Sequence, residues 1–93
     1  MSLTFEWNPE KESSNVKKHR VSFDEARTIF ADPLAITIYD PPHSQDEDRY
    51  VSVGESDRRR LLVVVFTDRE DRIRIISARL ANRRERKNYE ENG

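Results

Sequence analysis

The stretch RLLVVVFTDREDRIRIISARLANRRERKNYE, residues 60–90, carries the strongest structural pattern of the chain. Its first part, Leu61 to Phe66, is apolar throughout and rich in Val, which is typical of a central strand buried on both faces. The charged residues Asp68 to Asp71 predict a reversing turn. In the next segment, Arg72 to Arg79, charged and apolar residues alternate as in a strand with one buried face. A helix is predicted from about Ala81 to Glu91.

The segments upstream of this stretch extend the sheet. Residues Arg49 to Glu55 alternate as in a half-buried strand and should pair with the strand that begins at Leu61. A further strand is predicted at Leu34 to Tyr39, bounded by Pro41 and Pro42. Strands connected in this way form an antiparallel meander of three to four strands.

The N-terminal part of the chain predicts one short strand and two helices. Leu3 to Trp7 alternates as a strand does. Asn8 to Glu10 is a helix start, because Asn can cap free amides and Pro fits the first helical position, and this helix should end near His19. Ser22 to Glu25 has the pattern of a capping box for a second helix, which Asp32 and Pro33 stop.

The whole chain is predicted to form one α+β domain, residues 1–93. The helices should cover one face of the antiparallel sheet and leave the other face polar. Of the 93 residues, 34% are hydrophobic, which argues for a thin core rather than disorder, and the absence of Cys excludes disulfides and thiolate chemistry. No apolar run is long enough for a membrane span or a signal peptide, so we expect a cytoplasmic protein without a membrane partner.

Charge is distributed unevenly along the chain. Residues 58–87 contain eleven Arg and Lys against four Asp and Glu, whereas residues 40–57 contain six acids and one Arg, and the formal net charge is only -1. A face of a single sign attracts a polyanion even when the total charge is near zero. This pattern predicts a phosphate-rich partner for the basic part of the chain.

Metal and cofactor chemistry find little support. The acidic run Asp46 to Asp48 falls in a predicted loop where successive side chains diverge, and no spacing typical of a zinc or calcium site is present. The chain has two glycines and lacks a phosphate loop, a dinucleotide fingerprint and a nucleophile elbow. We therefore expect no metal and no cofactor, and electrostatic chemistry on phosphate remains.

Candidate phosphate ligands lie on the last strand. Residues two apart in a strand project together, so Arg72 and Arg74 should rise from one surface, with Tyr50 and Ser52 beside them from the neighbouring strand. Arg suits this task, because its planar fork binds two phosphate oxygens and keeps its charge. The same charges could merely protect an edge strand.

The last helix offers a second set. Arg79, Arg83 and Arg86 have spacings of four and three and could form one stripe, with Lys87 and Tyr89 nearby. A solvated helix face explains such a run equally well, and Tyr89 could be a packing residue rather than a proton donor. His19 is a further acid-base candidate, although a position at a helix C-terminus gives a His a structural role too.

Several segments resemble the BrnT family. They are FEW at residues 5–7, KKHRVSFDEA at 17–26, FADPLA at 30–35, RLLVVVFT at 60–67 and RIRIISARLANRRERKNYE at 72–90. The resemblance implies a type II toxin of RelE-like fold that cleaves RNA. It also implies neutralisation by a BrnA-type antitoxin, whose complex with the toxin binds operator DNA. Arg20 departs from the family, in which Gly is expected after His19 to ease a left-handed helix terminus.

Together with this resemblance, the residues suggest a metal-independent mechanism of RNA cleavage. The RNA 2′-OH would attack the adjacent phosphate while cations neutralise it and side chains move protons. Arg74, Arg79 and Arg83 are the candidates for holding the scissile phosphate, and His19 or Tyr89 for proton transfer. Flanking RNA contacts are assigned to Arg72, Arg86, Lys87 and Tyr50. The main alternative is a noncatalytic module that binds RNA or protein through the same basic face, and the other is a structural protein with solubilising charges.

Overall fold

The computed structural model describes residues 3–40 and 47–92. Five strands form one sheet in the order β1-β5-β4-β3-β2, in which β1 runs parallel to β5 and all other pairs are antiparallel. The strands are β1 (Phe5–Glu6), β2 (Ile36–Tyr39), β3 (Arg49–Glu55), β4 (Leu61–Arg69) and β5 (Arg72–Leu80). The helices are α1 (Pro9–His19), α2 (Phe23–Ala26), a 3₁₀ helix (Arg27–Ala31) and α3 (Arg83–Asn92). The α+β class and the meander are thereby confirmed, with five strands in total.

Some residues used in the sequence argument, namely Pro41, Pro42 and Asp46, lie outside the described residues. None of the helices in the described part of the chain has the length and apolar character that a membrane crossing requires.

Helix α1 begins and ends as predicted. The Asn8 side chain accepts hydrogen bonds from the amides of Glu10 and Lys11, at 2.8 and 3.3 Å. At the other end, Arg20 adopts the left-handed conformation, with φ 60° and ψ 31°, and its amide donates to the Val16 carbonyl. A glycine would adopt this conformation without strain, so Arg20 carries a conformational cost at the end of α1.

A buried asparagine attaches α1 to the sheet. The Asn15 side chain, 7% exposed, donates to the carbonyls of Ala78 and Val21 and accepts from the Ala78 amide. Strand β1 pairs only with residues 73 and 74 of β5, so Asn15 satisfies the backbone of β5 farther along the same edge. This explains how a helix with almost no apolar stripe remains docked.

The core lies between the sheet and the helices α1 and α2 with the 3₁₀ helix. Alternate residues of β4 and β5 point into it and are buried, as are four residues of the helical segments. These core residues are Leu62, Val64, Phe66, Ile73, Ile75, Ala78, Val21, Phe23, Ala26 and Ile29. Four aromatic rings, from Phe5, Trp7, Phe30 and Tyr50, pack against them. We call the side of the sheet that faces this core the inner face, and the opposite side the outer face.

Gly54 permits the 3₁₀ helix to approach β3 closely. A Cβ atom at this position would lie 3.1 Å from the Cβ atoms of both Ile29 and Ala35. Such contacts are tighter than side chains ordinarily make, so a residue other than glycine would force the helix away from the sheet.

A buried ion pair joins α2 to the turn between β3 and β4. Glu25, 5% exposed, accepts hydrogen bonds from the Ser56 hydroxyl at 2.6 Å and from Arg60 through Nε at 2.9 Å and through Nη2. Ser22 caps α2 by accepting from the Glu25 amide, but the Glu25 carboxylate serves this ion pair, so only half of the predicted capping box forms. The hydrogen bond from Arg60 lowers the pKa of Glu25 below its usual value.

The prediction that all helices cover one face was wrong for α3. Leu61 and Val63 point away from the inner face yet are only 4% and 3% exposed. Helix α3 turns onto that side, where Glu85 binds Arg79 of β5 and Tyr89 reaches Asp32. The rest of this outer face is left open, and the candidate arginines of β5 lie on it.

Candidate functional site

The outer face carries a row of polar side chains across four strands. Arg49 of β3 pairs with Thr67 of β4, Thr67 pairs with Arg74 of β5, and Arg74 pairs with Glu6 of β1. Directly paired residues project from the same side of a sheet, so these four side chains stand in line. We call them the arginine row. The row lies at the open end of the outer face, away from α3.

Glu6 gathers the arginines at the edge of this row. Its carboxylate lies 3.0 Å from Nη1 of Arg72, 3.2 Å from Nη1 of Arg74 and 3.4 Å from Nη1 of Arg69. Hydrogen bonding from Arg72 is the main reason that the pKa of Glu6 is lowered. Arg69 is shared with Glu47, whose Oε1 is 2.9 Å from Nη2. The local excess of positive charge is therefore smaller than the sequence alone indicates.

Arg79 ends the predicted strand, and it was also assigned to a stripe on the last helix. It lies in β5, so the expected continuous stripe of Arg79, Arg83 and Arg86 on one helix was wrong. Its guanidinium binds Glu85 in a bidentate manner, with Nη1 and Nη2 each 2.8 Å from a carboxylate oxygen. This hydrogen bonding lowers the pKa of Glu85 and fixes the junction between β5 and α3.

The same junction contains a capping box. The Asn82 side chain accepts from the Glu85 amide, and the Glu85 carboxylate accepts from the Asn82 amide, both at 2.8 Å. Two free amides at the start of α3 are thereby satisfied, and Arg79 is tied to the same carboxylate. The direction in which α3 leaves the sheet is set by these three residues.

Arg74 and Arg79 both point to the outer face but are well separated. Their positions on β5 are five residue steps apart, which corresponds to roughly 16 Å of extended chain. Arg74 is held by Glu6 at one end and Arg79 by Glu85 at the other. In this arrangement the two guanidinium groups are placed to bind two different phosphates of a nucleic-acid chain rather than one and the same phosphate.

Helix α3 adds exposed cations beside Arg79. Arg83, Arg86 and Lys87 are exposed, and Arg83 and Arg86 share one side of the helix at a spacing of three. None of the three forms an ion pair with another residue of the described ranges 3–40 and 47–92. Their charge is therefore available to a partner.

Tyr89 lies on the side of α3 that faces the sheet. Its hydroxyl donates to Asp32 Oδ2 at 2.6 Å, and the same oxygen accepts from the Glu55 amide at 2.8 Å. The hydrogen bond to Asp32 raises the pKa of Tyr89 to about 12. Burial would raise the pKa of Asp32, but the donors from Glu55, Tyr89 and Leu34 outweigh it and lower that pKa. Tyr89 therefore anchors α3 and is a weak proton donor near neutral pH.

His19 lies at the opposite edge of the sheet, near the end of α1. It lines a cleft of about 510 Å³ together with Ile76 and Ser77 of β5. The pairing of β4 with β5 is irregular here, since Phe66 pairs with Ile75 and Val65 with Ser77. Ile76 is the extra residue of this bulge. The half-buried imidazole makes no hydrogen bond with any other residue that the structure describes.

Tyr50 and Ser52 project on the wrong side for the predicted RNA contact. Tyr50 pairs with Phe66, and the two rings stack with centroids 5.7 Å apart on the inner face. Ser52 is 1% exposed and shares a 2.6 Å hydrogen bond with Thr37. The prediction placed these residues on a strand next to Arg72 and Arg74, but β4 lies between β3 and β5 and the two residues face the core.

Three residues of the arginine row were not singled out in the sequence, namely Glu6, Arg49 and Thr67. Each lies in a segment that alternates, but only the pairing partners show that they share a row with Arg74. The parallel pairing of β1 with β5 is a long-range contact that local periodicity does not encode. Among the described residues, no three His, Asp or Glu side chains lie close enough together to hold a metal ion.

A five-stranded α+β domain with an open, arginine-bearing sheet face defines a small protein suited to bind phosphate. Comparison with known proteins identifies the family within this class. The model of the family described as "Ribonuclease toxin, BrnT, of type II toxin-antitoxin system" matches residues 7–85. The chain belongs to this BrnT family of ribonuclease toxins.

The fold agrees with that assignment. The crystal structure of the Brucella abortus ribonuclease toxin BrnT superposes with a TM-score of 0.67 at 21% sequence identity, covering 88% of this chain and all of the other. At this identity the likeness concerns the fold. No curated protein matches the chain in a sequence search.

Proposed function

We propose that this protein cleaves RNA without a metal ion, by attack of the 2′-OH on the adjacent phosphate. The observation that supports this most is the open outer face, on which Arg74 and Arg79 stand about 16 Å apart along one strand. Membership of a ribonuclease toxin family makes RNA the substrate that such a face would bind. Arginines supply the charge stabilisation that a crowded phosphate needs in the transition state.

The two ends of the outer face take different roles in this proposal. Arg79, fixed by Glu85, contacts the scissile phosphate with the help of Arg83. Arg74 and Arg72 hold a flanking phosphate at the other end, and Arg86 and Lys87 contact the strand as it passes α3. The residues between, Val65 and Ser77, form a floor without charge on which a nucleoside can lie.

His19 is the proposed proton acceptor. It lines the same cleft as Ser77, which precedes Arg79 by two residues on β5, and His is the residue most often used for general acid-base catalysis. Tyr89, the other candidate in the sequence, is assigned to anchoring α3, because its hydroxyl is held by Asp32 and its pKa is raised to about 12.

A BrnA-type antitoxin is the proposed partner, and its footprint should overlap the outer face. Next to the arginine row, Ile36, Ile38, Val51 and Val53 form a partly exposed apolar strip, in which Ile38 is 61% exposed. An antitoxin segment that carries both acidic and apolar residues would match the strip and the arginines together. We propose that operator DNA is bound only through the antitoxin in this complex, in the cytoplasm.

The activity is tested with purified, antitoxin-free protein and free RNA, with and without EDTA. We expect cleavage in both conditions, and a large loss of cleavage for Arg79→Ala. Binding of RNA without cleavage would favour the noncatalytic module instead. Activity that disappears in EDTA and returns with Mg²⁺ would contradict the proposed chemistry.

The antitoxin footprint is tested by crosslinking the complex. Contacts at Arg74 and on the strip around Ile38 are expected. Contacts restricted to the opposite side, at α1 and α2, would contradict it. A charge-reversed Arg74→Glu variant gives a second readout. It should weaken the complex, and its remaining affinity for the antitoxin should fall less with added salt than the affinity of the wild type does.

A further inference from the structure

The hydroxyl of Thr67 stands out among the polar groups of the outer face. Thr67 is 3% exposed, and its Oγ1 makes no hydrogen bond with any residue in the described part of the chain. A buried hydroxyl without a partner lowers the stability of the folded state. Val has nearly the same shape and the same strand preference, so packing alone does not explain why the position holds a hydroxyl.

Thr67 is flanked by an arginine on each neighbouring strand. It lies on β4, between Arg49 of β3 and Arg74 of β5. Neighbouring strands are about 4.8 Å apart, so the two arginines arise roughly 10 Å from one another on either side of a short side chain. The buried Thr67 hydroxyl therefore lies between two long cationic side chains.

The donors of these three residues suit one phosphate group. A tetrahedral phosphate carries oxygens that can accept from both guanidinium groups and from the hydroxyl at once. Arg74 has N–H groups besides the one that binds Glu6, so it need not leave that carboxylate in order to donate. Glu6 then acts as a lateral support that fixes the direction of the Arg74 guanidinium.

We infer that Arg49, Thr67 and Arg74 form a phosphate-binding subsite for the RNA backbone, with the Thr67 hydroxyl as a donor to a nonbridging oxygen. The inference rests on the proposed function in taking RNA as the source of the phosphate. It does not depend on cleavage, because a flanking phosphate is bound and not broken at this position. It assigns roles to Arg49 and Thr67, which the family assignment alone does not.

The test measures binding of a short 2′-O-methyl RNA of mixed sequence, which cannot supply an attacking hydroxyl. Thr67→Val should weaken its binding about tenfold, as expected for a lost hydrogen bond to a charged group. The dependence of affinity on salt should not change, since no charge is removed. Arg49→Gln should weaken binding and lower the salt slope by about 0.7, as for one lost contact to a single-stranded phosphate.

Two further variants serve as matched controls. Thr67→Ser restores the hydroxyl and should restore the affinity. Thr37→Val makes the same chemical change on the inner face, where the hydroxyl already bonds Ser52, and should lower thermal stability without affecting RNA binding. Thr67→Val itself should be as stable as the wild type or more stable, because it removes a buried polar group without a partner.

Unchanged RNA affinity in Thr67→Val would overturn the subsite, whether or not the wild type cleaves RNA. Loss of antitoxin affinity with unchanged RNA affinity would also overturn it and would assign the hydroxyl to a protein carboxylate. Failure of the wild type to cleave unmodified RNA, together with weakened binding in Thr67→Val, would overturn the proposed activity while supporting the subsite.

Discussion

Arg79 offers the clearest separation of a structural role from a chemical one. It is bound to Glu85 by two hydrogen bonds of 2.8 Å, so either Arg79→Ala or Glu85→Gln breaks the ion pair. The Arg79 side chain is 42% exposed, and such a pair contributes about 1 kcal/mol rather than the several expected for a buried one. Both variants should therefore lower the free energy of unfolding by about 1 kcal/mol. Gln at position 85 can still accept from the Asn82 amide, so the cap of α3 is retained.

The two variants should differ in cleavage. Arg79→Ala removes a cation from the scissile phosphate and should lower the single-turnover rate constant by about 10² to 10³, the effect of losing one transition-state donor. Glu85→Gln leaves the guanidinium in place and should change the rate by no more than about threefold, since no such donor is lost. Chemical denaturation and single-turnover cleavage of end-labelled RNA measure the two effects. Equal losses of activity in both variants would refute a chemical role for Arg79 and assign it to the orientation of α3.

Three further predictions concern the parts of the molecule that hold the site in place. Tyr89→Phe removes the hydrogen bond to Asp32 and should lower the free energy of unfolding by about 1 to 2 kcal/mol. Cleavage per folded molecule should be unchanged at neutral pH. A large loss of activity with normal stability would make Tyr89 a catalytic residue. Arg20→Gly should raise the free energy of unfolding by about 0.5 to 1 kcal/mol in thermal or chemical unfolding, because glycine adopts the left-handed conformation without strain. A lower free energy of unfolding would show that the Arg20 side chain matters more than its backbone. Glu25→Gln should destabilise by about 2 to 3 kcal/mol at pH 7. Because the pKa of Glu25 is lowered on folding, its charge contributes fully above the unfolded value of about 4.3, and this contribution disappears as the pH falls through the lower folded value. The difference between wild type and variant should therefore shrink in acid, and a difference independent of pH would contradict the assigned ion pair.

Local sequence patterns were sufficient for most of the secondary structure. Asn8 and Pro9 place the start of α1, and the apolar run from Leu61 places the central strand, because caps and periodicity act over a few residues. The end of β5 was predicted to within one residue, but the helical stripe was not. Arg79 and Arg83 fit one helical stripe by spacing, whereas the strand continues to Leu80, which pairs with Leu62 of β4.

The site depended more on long-range pairing. Arg74 was identified from its alternation with Ile73, whereas its neighbours in the arginine row come from strands distant in the sequence. Tyr50 was assigned to the wrong face because Val51 and Val53 have the composition of the buried side of β3, whereas the pairing of Tyr50 with Phe66 places Tyr50 on the inner face. The ion pair between Arg72 and Glu6 could not be predicted from local patterns either, since it requires the parallel pairing of β1 with β5.

The most direct test of metal-independent cleavage by the 2′-OH is the chemistry of the product ends. Antitoxin-free protein is incubated in EDTA with an end-labelled RNA and with the same RNA carrying a single 2′-deoxynucleotide at the main cleavage position. The proposal predicts a 2′,3′-cyclic phosphate or its hydrolysis product on one fragment, a 5′-OH on the other, and no cleavage at the deoxy position. Products with 3′-OH and 5′-phosphate ends, or undiminished cleavage at the deoxy position, would contradict it.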